Sequence, residues 1–297
     1  MSAVTLLDGG LGQELLRRSN RAPSAMWSAE VMLREPQLVR DLHVDYIRSG
    51  ASVLTLNTYS ATPERLEREN ALEHLESLHQ GAMQAAREAI DIASLQEVSI
   101  AGCLPPLVAS YRPDVSLPED ISLETYRRLV ELQAPAADLF LCETMASIAE
   151  ARCAAAAALE SGKPVWLALT VSDDEPDQLR SGEKLSDAIA VLEPMGLAAI
   201  LLNCSHPEAI NAAWPTLRGC ARRIGAYANA FVSVEALQPG GTVEELQTRA
   251  DLNPAEYAEH AMGWIENGAT IVGGCCEVGP AHIKALHTRL VGEGLLG

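Results

Sequence analysis

The stretch ATIVGGCC, residues 269–276, joins a short apolar run to a Gly-Gly pair and two adjacent cysteines. Apolar runs of the same kind recur earlier in the chain, and each ends in small or polar residues: 4–10, 52–58, 98–104, 139–144, 165–171, 198–205 and 224–230. These runs are continuous rather than alternating, which is typical of parallel strands buried on both faces. We therefore expect eight buried parallel strands.

Segments with a helical pattern separate the runs, and the clearest are residues 35–51, 144–164 and 253–269. In the last one, Asn253 and Pro254 form a typical helix start, and Asn267-Gly268 form a typical end. Eight strand-helix alternations in 297 residues predict an α/β protein with one domain, a single (β/α)8 TIM barrel over residues 1–297. A doubly wound open sheet is the alternative, but no dinucleotide-binding glycine pattern follows the first strand.

The composition narrows the possible partners. The formal net charge of −18 argues against nucleic acid and anionic membrane surfaces, because both are bound by basic patches. No apolar run is long enough to span a membrane, and the N-terminus does not resemble a secretory signal, so we predict a cytoplasmic protein. Seven cysteines in a chain of this size favour metal binding or catalysis over a disulfide framework. The oligomeric state is not predictable from these features.

Chemically useful side chains follow the predicted strands, and in a barrel the carboxyl ends of all strands meet at one mouth. The residues at these ends include Asp8, Asn57, Glu143, Cys204, Cys275 and Cys276. Three thiolates suit zinc, and a catalytic zinc keeps a fourth position open. We expect Gly273 and Gly274 to let the backbone bend so that both adjacent sulfurs face one metal.

Simpler interpretations exist for each of these residues. Cysteine is a common buried residue, and we assign Cys103, Cys142, Cys153 and Cys220 to packing. Asp8 and Glu143 could cap a helix or a turn instead of binding a ligand. His206 is a possible ligand beside Cys204, whereas the remaining histidines fall in helical stretches and are expected at the surface. Two polar segments, residues 110–120 and 173–187, are expected to be loops over the mouth.

Several motifs together resemble one known family. The segments LLDGGLGQEL (6–15), CETM (142–145), LRSGEKL (179–185), LLNCSHPE (201–208) and GGCCEVGPAHIKAL (273–286) are similar to the homocysteine S-methyltransferase family. The resemblance runs from about Leu6 to Leu286, and its most specific parts are Asn203-Cys204 and residues 273–276. It implies a zinc-dependent barrel that transfers a methyl group to the thiol of homocysteine and produces methionine.

The resemblance also implies roles for individual residues. The Zn²⁺ ligands would be Cys204, Cys275 and Cys276. Asp8 and Glu143 would hold the substrate ammonium group, Gly9 and Gly10 would meet its carboxylate, and Asn57 would lie near the site; these are the substrate-binding residues. The chain length favours a small-molecule sulfonium donor, S-methylmethionine or S-adenosylmethionine, over betaine.

The sequence leaves both the acceptor and the type of activity open. Two segments, GCLPPLVASYRPD (102–114) and YANAFVSV (227–234), depart from the pattern of enzymes that use S-methylmethionine. Both segments follow strands and are expected on the donor side, so the sequence leaves open which compound is the methyl donor. A different thiol or a selenol, such as selenocysteine, is a possible acceptor for the same reason. A non-methyltransferase zinc enzyme, such as a hydrolase with Glu143 as its base, is also possible, and so is a redox-sensing or metal-buffering protein.

Overall fold

The structure is a computed structural model that describes residues 3–22, 24–93, 97–241 and 246–296. Its sheet has eight parallel strands: β1 (Thr5–Leu6), β2 (Val53–Thr55), β3 (Ser99–Leu104), β4 (Leu139–Met145), β5 (Val165–Leu169), β6 (Ala199–Asn203), β7 (Arg223–Tyr227) and β8 (Ile271–Val272). Pairing runs continuously from β2 through β8 to β1. A parallel bridge between Leu7 and Val53 joins β1 to β2 and closes the barrel. The predicted (β/α)8 barrel is confirmed, and the open sheet is excluded.

Helices surround this sheet in the described part of the chain: α1 (Leu11–Arg18), α2 (Ser28–Arg34), α3 (Pro36–Arg48), α4 (Pro63–Arg68), α5 (Leu75–Ala93), α6 (Glu119–Gln133), α7 (Ile148–Leu159), α8 (Leu185–Leu192), α9 (Pro207–Leu217), α10 (Pro254–Glu266) and α11 (Pro280–Gly292). The three helices predicted most clearly correspond to α3, α7 and α10. Asn253 caps α10 as expected, because its side chain accepts hydrogen bonds from the N–H groups of Ala255 and Glu256.

The core has two layers, which explains why the strand sequences are continuously apolar. Leu139 and Leu141 of β4 pack in a cluster inside the barrel, whereas Phe140 and Cys142 pack outward among the helices. Because successive side chains of a strand point to opposite faces, both faces of β4 are buried. Rigid strands with two buried faces provide fixed positions for the residues at their ends.

Two histidines contradict the expectation of surface positions. His43 in α3 and His79 in α5 are buried, and each lies within the apolar stripe of its helix. His43 follows Val39 by four residues and precedes Tyr46 by three, so helical spacing places it on the core-facing side. Burial disfavours the charged imidazolium and lowers the pKa of both rings to about 4.

No helix in the described residues is both long and apolar enough to cross a bilayer.

Candidate metal and substrate site

The predicted strand-end residues meet in one cavity at the carboxyl ends of the strands. Its empty volume is about 850 Å³, including the part that opens to solvent. The predicted residues that line it are Asp8, Gly9, Gly10, Asn57, Glu143, Cys204, Cys275 and Cys276. A barrel explains this convergence, because strands that are far apart in sequence end at the same mouth.

The three cysteines form a cluster whose sulfur atoms all lie within 4.8 Å of one another. The Cys204 Sγ atom is 3.7 Å from that of Cys276 and 2.7 Å from that of Cys275. In a tetrahedral site with zinc–sulfur bonds of about 2.3 Å, sulfur atoms are about 3.8 Å apart. The first distance matches this value, and the second requires a movement of about 1 Å. The donor set and its spacing therefore fit a metal ion such as zinc.

The backbone around Cys204 holds this ligand in an unusual conformation. Cys204 has a positive φ of 51°, which is rare for a residue other than glycine. Its carbonyl oxygen accepts hydrogen bonds from Asn229 Nδ2 at 2.9 Å, Thr170 Oγ1 at 3.3 Å and Arg180 Nη2 at 3.4 Å. Strain of this kind persists where the surroundings determine the conformation strongly, and it is frequent at functional sites.

The Gly-Gly pair before Cys275 serves a different purpose from the one expected. Neither Gly273 nor Gly274 has a positive φ, so neither provides an unusual bend. A Cβ atom on Gly273 would lie 2.4 Å from the Leu7 Cβ atom, and one on Gly274 would lie 2.2 Å from Val278 Cγ1. The glycines therefore allow the cysteine loop to pack against the end of β1.

Asp8 is buried just after β1, and its carboxyl group is hydrogen-bonded to Thr55 of β2. Its Oδ2 atom accepts the backbone N–H of Thr55 at 2.8 Å, and its Oδ1 atom accepts the Thr55 hydroxyl at 3.0 Å. Burial raises the pKa of Asp8 to about 8 in spite of these bonds. A buried carboxyl group with a raised pKa gains from an ammonium ligand, because the positive charge restores its ionised form.

Glu143 lies in β4 on the wall of the same cavity. Its Oε1 atom accepts the thiol of Cys103 at 3.1 Å, and its Oε2 atom accepts the hydroxyl of Tyr227 at 3.3 Å. Burial raises the pKa of Glu143 to about 7. Cys103 thus does more than fill space, as it donates a hydrogen bond to a cavity-lining carboxylate. Neither Asp8 nor Glu143 caps a helix.

Two groups that were expected to contact or approach the substrate, in Gly10 and Asn57, form hydrogen bonds within the protein. The N–H of Gly10 donates to the carbonyl oxygen of Val278 at 3.0 Å, and the side chain of Asn57 donates to the carbonyl oxygen of Ser28 at 3.3 Å. The N–H of Gly10 is therefore already paired, and the contact of the Gly9–Gly10 backbone with a substrate carboxylate stays a prediction. Gly10 directly precedes α1, and residues 11–13 at the start of that helix also line the cavity. Unpaired first-turn N–H groups provide an alternative site for an anion.

Aromatic side chains complete the cavity, and the sequence patterns did not identify them. They are Trp27, Tyr59, Tyr111, Tyr227 and Phe231. The Tyr111 hydroxyl lies 2.9 Å from the Cys204 Sγ atom, and the Arg180 guanidinium lies 4.9 Å from the centre of the Tyr111 ring. Tyr111 and Arg180 come from the two polar segments expected over the mouth, so those loops do reach the site. The sequence feature that could have indicated this lining is the presence of aromatic residues within the long loops.

Comparison with known proteins agrees with this geometry. A family model described as homocysteine S-methyltransferase matches residues 5–290. The chain belongs to this family. It is 30% identical over 305 residues to the homocysteine S-methyltransferase of Escherichia coli (strain K12), covering 96% of this chain and 95% of that protein. The selenocysteine Se-methyltransferase of Brassica oleracea var. italica is 28% identical over 314 residues, covering 96% and 88%.

A solved structure of a family member supports the same assignment. The metallated form of the homocysteine methyltransferase MmuM from Escherichia coli superposes with a TM-score of 0.81 at 26% identity. The match covers 97% of this chain and 96% of that one. The resemblance inferred from the sequence motifs is thus confirmed. The protein is a methyltransferase with the barrel fold of this family.

Proposed function

We propose that the protein transfers a methyl group from a sulfonium donor, S-methylmethionine or S-adenosylmethionine, to the thiol of L-homocysteine and so produces methionine. The observation that carries this proposal is one cavity that contains three converging sulfur atoms and two buried carboxyl groups. Three thiolates bind a soft or borderline metal, and the carboxyl groups bind an ammonium group. A thiol-bearing amino acid matches both features.

The amino-acid end of homocysteine would be held by Asp8, Glu143 and the start of α1. Both carboxyl groups are buried and have raised pKa values, so an entering ammonium group would stabilise their ionised forms. The substrate carboxylate would lie at the first turn of α1, where N–H groups and the helix dipole favour a negative charge. These contacts would direct the substrate side chain toward the cysteines.

Cys204, Cys275 and Cys276 would hold Zn²⁺, the only cofactor that we propose. A free thiol is mostly protonated and unreactive at neutral pH, and Zn²⁺ held by these residues would lower the pKa of a substrate thiol and so supply a thiolate. The backbone hydrogen bonds of Cys204 would fix one ligand in place. The hydroxyl group of Tyr111 would lie beside the metal site, next to Cys204 Sγ.

The methyl transfer itself requires no acid from the protein. The substrate sulfur attacks the methyl carbon, a new sulfur–carbon bond forms, and the old bond breaks with its electron pair on the donor sulfur. The donor leaves as a neutral thioether, so it needs no proton. Charge disappears as a thiolate and a sulfonium combine, and a cavity with aromatic walls favours this change because it stabilises the separate charges less than bulk water does.

The direct test is methionine production by the zinc-loaded protein from homocysteine with S-methylmethionine, S-adenosylmethionine or betaine offered separately. We expect product from a sulfonium donor and none from betaine. The variant Cys276→Ser should lose this activity. Absence of product with all three donors, from a protein that still binds zinc, would overturn the proposal.

A selenol acceptor such as selenocysteine is the second candidate. A relative named selenocysteine Se-methyltransferase has 28% identity to this chain, which supports a comparison of both acceptors in the same assay. The activities without methyl transfer are less favourable. A hydrolytic zinc usually has histidine or carboxylate ligands, and a redox sensor or metal buffer gives no role to Asp8 and Glu143.

Three general features accompany this proposal. We propose that residues 1–297 form one functional domain and that its partners are small molecules. We also propose a cytoplasmic location, which the seven unpaired thiols support because reducing compartments preserve them. Reaction of all seven thiols with a labelling reagent, after denaturation and chelation of protein extracted from cells without reductant, would test the last point.

A further inference from the structure

A second, smaller cavity adjoins the main one and carries a positive charge. It has about 320 Å³ of empty volume, including open solvent, and its lining includes Arg65 and Arg68 of α4. Trp27, Ser110 and Leu237 line both cavities, so the two share a wall. We propose that this arginine cavity binds the carboxylate of the methyl donor and thereby selects amino-acid sulfonium compounds. The proposal rests on the proposed function, because it assigns the donor of the same reaction.

Arg65 has an unused capacity to donate hydrogen bonds. Its Nη2 atom donates to the Pro106 carbonyl oxygen at 3.0 Å and to Ser110 Oγ at 3.4 Å. These bonds hold the guanidinium in place, whereas its Nε atom is buried and has no partner among the described residues. A guanidinium group presents its donors as a planar fork that matches the two oxygens of a carboxylate. The unpaired Nε atom and the place of Arg65 in the cavity lining make this guanidinium a candidate partner for a carboxylate.

The charge around this cavity also favours an anion. Neither Arg65 nor Arg68 forms an ion pair with a carboxylate in the part of the chain that the structure describes, and no acidic residue lines the cavity within that part. The whole chain, in contrast, has a formal net charge of −18. These two arginines therefore line one cavity together, without an acidic side chain in its described lining. A bound carboxylate would supply the missing counter-charge.

A chain of contacts connects the arginine cavity to the sulfur cluster. The Arg65 guanidinium lies 5.4 Å from the centre of the Tyr59 ring, and the Tyr59 hydroxyl lies 2.8 Å from Ser110 Oγ. The next residue, Tyr111, places its hydroxyl 2.9 Å from Cys204 Sγ. A donor lying along this wall would therefore have one end near the sulfur atoms and the opposite end near Arg65.

The length of the donor provides the selectivity. In S-methylmethionine and S-adenosylmethionine, four bonds separate the sulfonium sulfur from the carboxylate carbon, a span of about 5 Å when extended. In betaine only two bonds separate the charged nitrogen from the carboxylate carbon. Betaine is thus shorter than the sulfonium amino acids, and we expect it to span the sulfur cluster and the arginine cavity less well. A sulfonium without a carboxylate would reach the sulfur atoms but would leave the arginines unpaired.

The test compares S-methylmethionine with 3-aminopropyl(dimethyl)sulfonium, which has the same chain and ammonium group but no carboxylate. Arg68→Gln is the principal variant because Arg68 is exposed, Arg65→Gln is the second, and Arg40→Gln on α3 is the matched control. We expect Arg68→Gln and Arg65→Gln to raise the KM for S-methylmethionine by at least about tenfold, the loss typical of a hydrogen-bonded charge. The KM for homocysteine and the kinetics with the carboxylate-free donor should not change.

Two results would overturn the assignment: an equal effect of these variants on both donors, or no effect on either. Calorimetric binding of S-methylmethionine to the zinc-loaded protein adds a measurement that does not depend on turnover. Binding that is lost in Arg68→Gln but kept in Arg40→Gln would support the arginine cavity even in a protein that forms no methionine. Failure of the proposed function and failure of this inference are therefore distinguishable. Thermal unfolding of each variant shows whether Arg65→Gln retains the fold.

Discussion

The two halves of the barrel mouth differ in the secondary structure that carries their residues. Strand ends carry one half, and loops and a short helix carry the other. The proposed acceptor half, which consists of Asp8, Glu143 and the three clustered cysteines, lies at the ends of β1, β4, β6 and β8. The proposed donor half, which consists of Tyr59, Ser110, Tyr111 and the two arginines of α4, lies on a short helix and on loops. Strand ends are fixed by the closed sheet, whereas loops can change without altering the barrel. If these roles are correct, the thiol chemistry depends on the strand ends of the barrel, and the choice of donor depends on the loops.

The largest effect is expected from breaking the acceptor half at the metal ligands. Cys276→Ser replaces a soft sulfur ligand with a hydroxyl group, and we expect it to abolish stable zinc binding and to lower activity by more than about 100-fold. Elemental analysis after dialysis and an initial-rate assay measure both effects. Cys220→Ser, outside the cluster, is the matched control and should keep zinc and activity. Full zinc content in Cys276→Ser would show that this sulfur is not a ligand.

A smaller effect is expected when the substrate contacts are changed and the metal ligands are kept. Glu143→Gln removes a negative charge from the ammonium site, so the KM for homocysteine should rise by roughly 10- to 100-fold. Zinc content and the KM for the sulfonium donor should stay the same. Asp8→Asn should act in the same direction. A selective rise in the donor KM would mean that these acids belong to the donor half of the mouth.

Within the donor half, Tyr111→Phe tests the residue closest to the sulfur cluster. The variant keeps the aromatic ring and removes the hydroxyl that lies 2.9 Å from Cys204 Sγ. Loss of one hydrogen bond of this kind predicts a decrease of up to about fivefold in kcat/KM for the donor. Zinc should remain bound, and a variant that releases zinc would place Tyr111 among the residues that hold the metal.

The smallest effect on catalysis is expected from the buried histidines of the frame. His43 has a pKa of about 4 in the folded protein, below the ordinary value of 6.5, so the unfolded chain binds a proton first as the pH falls. The stability contribution is complete above pH 6.5 and decreases toward pH 4, with a loss of about 2 kcal/mol at pH 5. His43→Leu should remove this part of the pH dependence without changing the KM for either substrate.

Urea unfolding at pH 7.5 and pH 5 measures this effect. The difference in free energy of unfolding between the two pH values should be smaller in His43→Leu than in the wild type. An unchanged difference would mean that the folded protein accommodates the charged ring at this position.

The sequence was most informative where periodicity and barrel topology determine the position of a residue. Continuous apolar runs predicted the eight strands, and the barrel rule then placed Asp8, Glu143 and Cys204 at one mouth. Helical periodicity also places His43 in an apolar stripe. We nevertheless expected it at the surface, because histidine is a polar residue. Burial of an unpaired ring depends on tertiary packing, which no local pattern shows.

The donor half was harder to predict for a physical reason. Tyr111 contacts Cys204, and Arg180 contacts both Tyr111 and Cys204. Tyr111 and Arg180 lie in loops, whose conformations produce no periodic pattern in the sequence. The N–H of Gly10 donates to the carbonyl oxygen of Val278 across a close contact between two segments distant in sequence, which no sequence pattern indicated. Contacts of this type arise only when the barrel brings its loops together.

Zinc X-ray absorption spectroscopy, measured with and without homocysteine, counts the sulfur atoms around the metal. It therefore tests whether three cysteines of this barrel hold zinc and leave one position for the substrate sulfur. We predict three sulfur neighbours of zinc in the protein alone and a fourth when homocysteine is added. An unchanged count of three after addition of saturating homocysteine would contradict this assignment of the acceptor half.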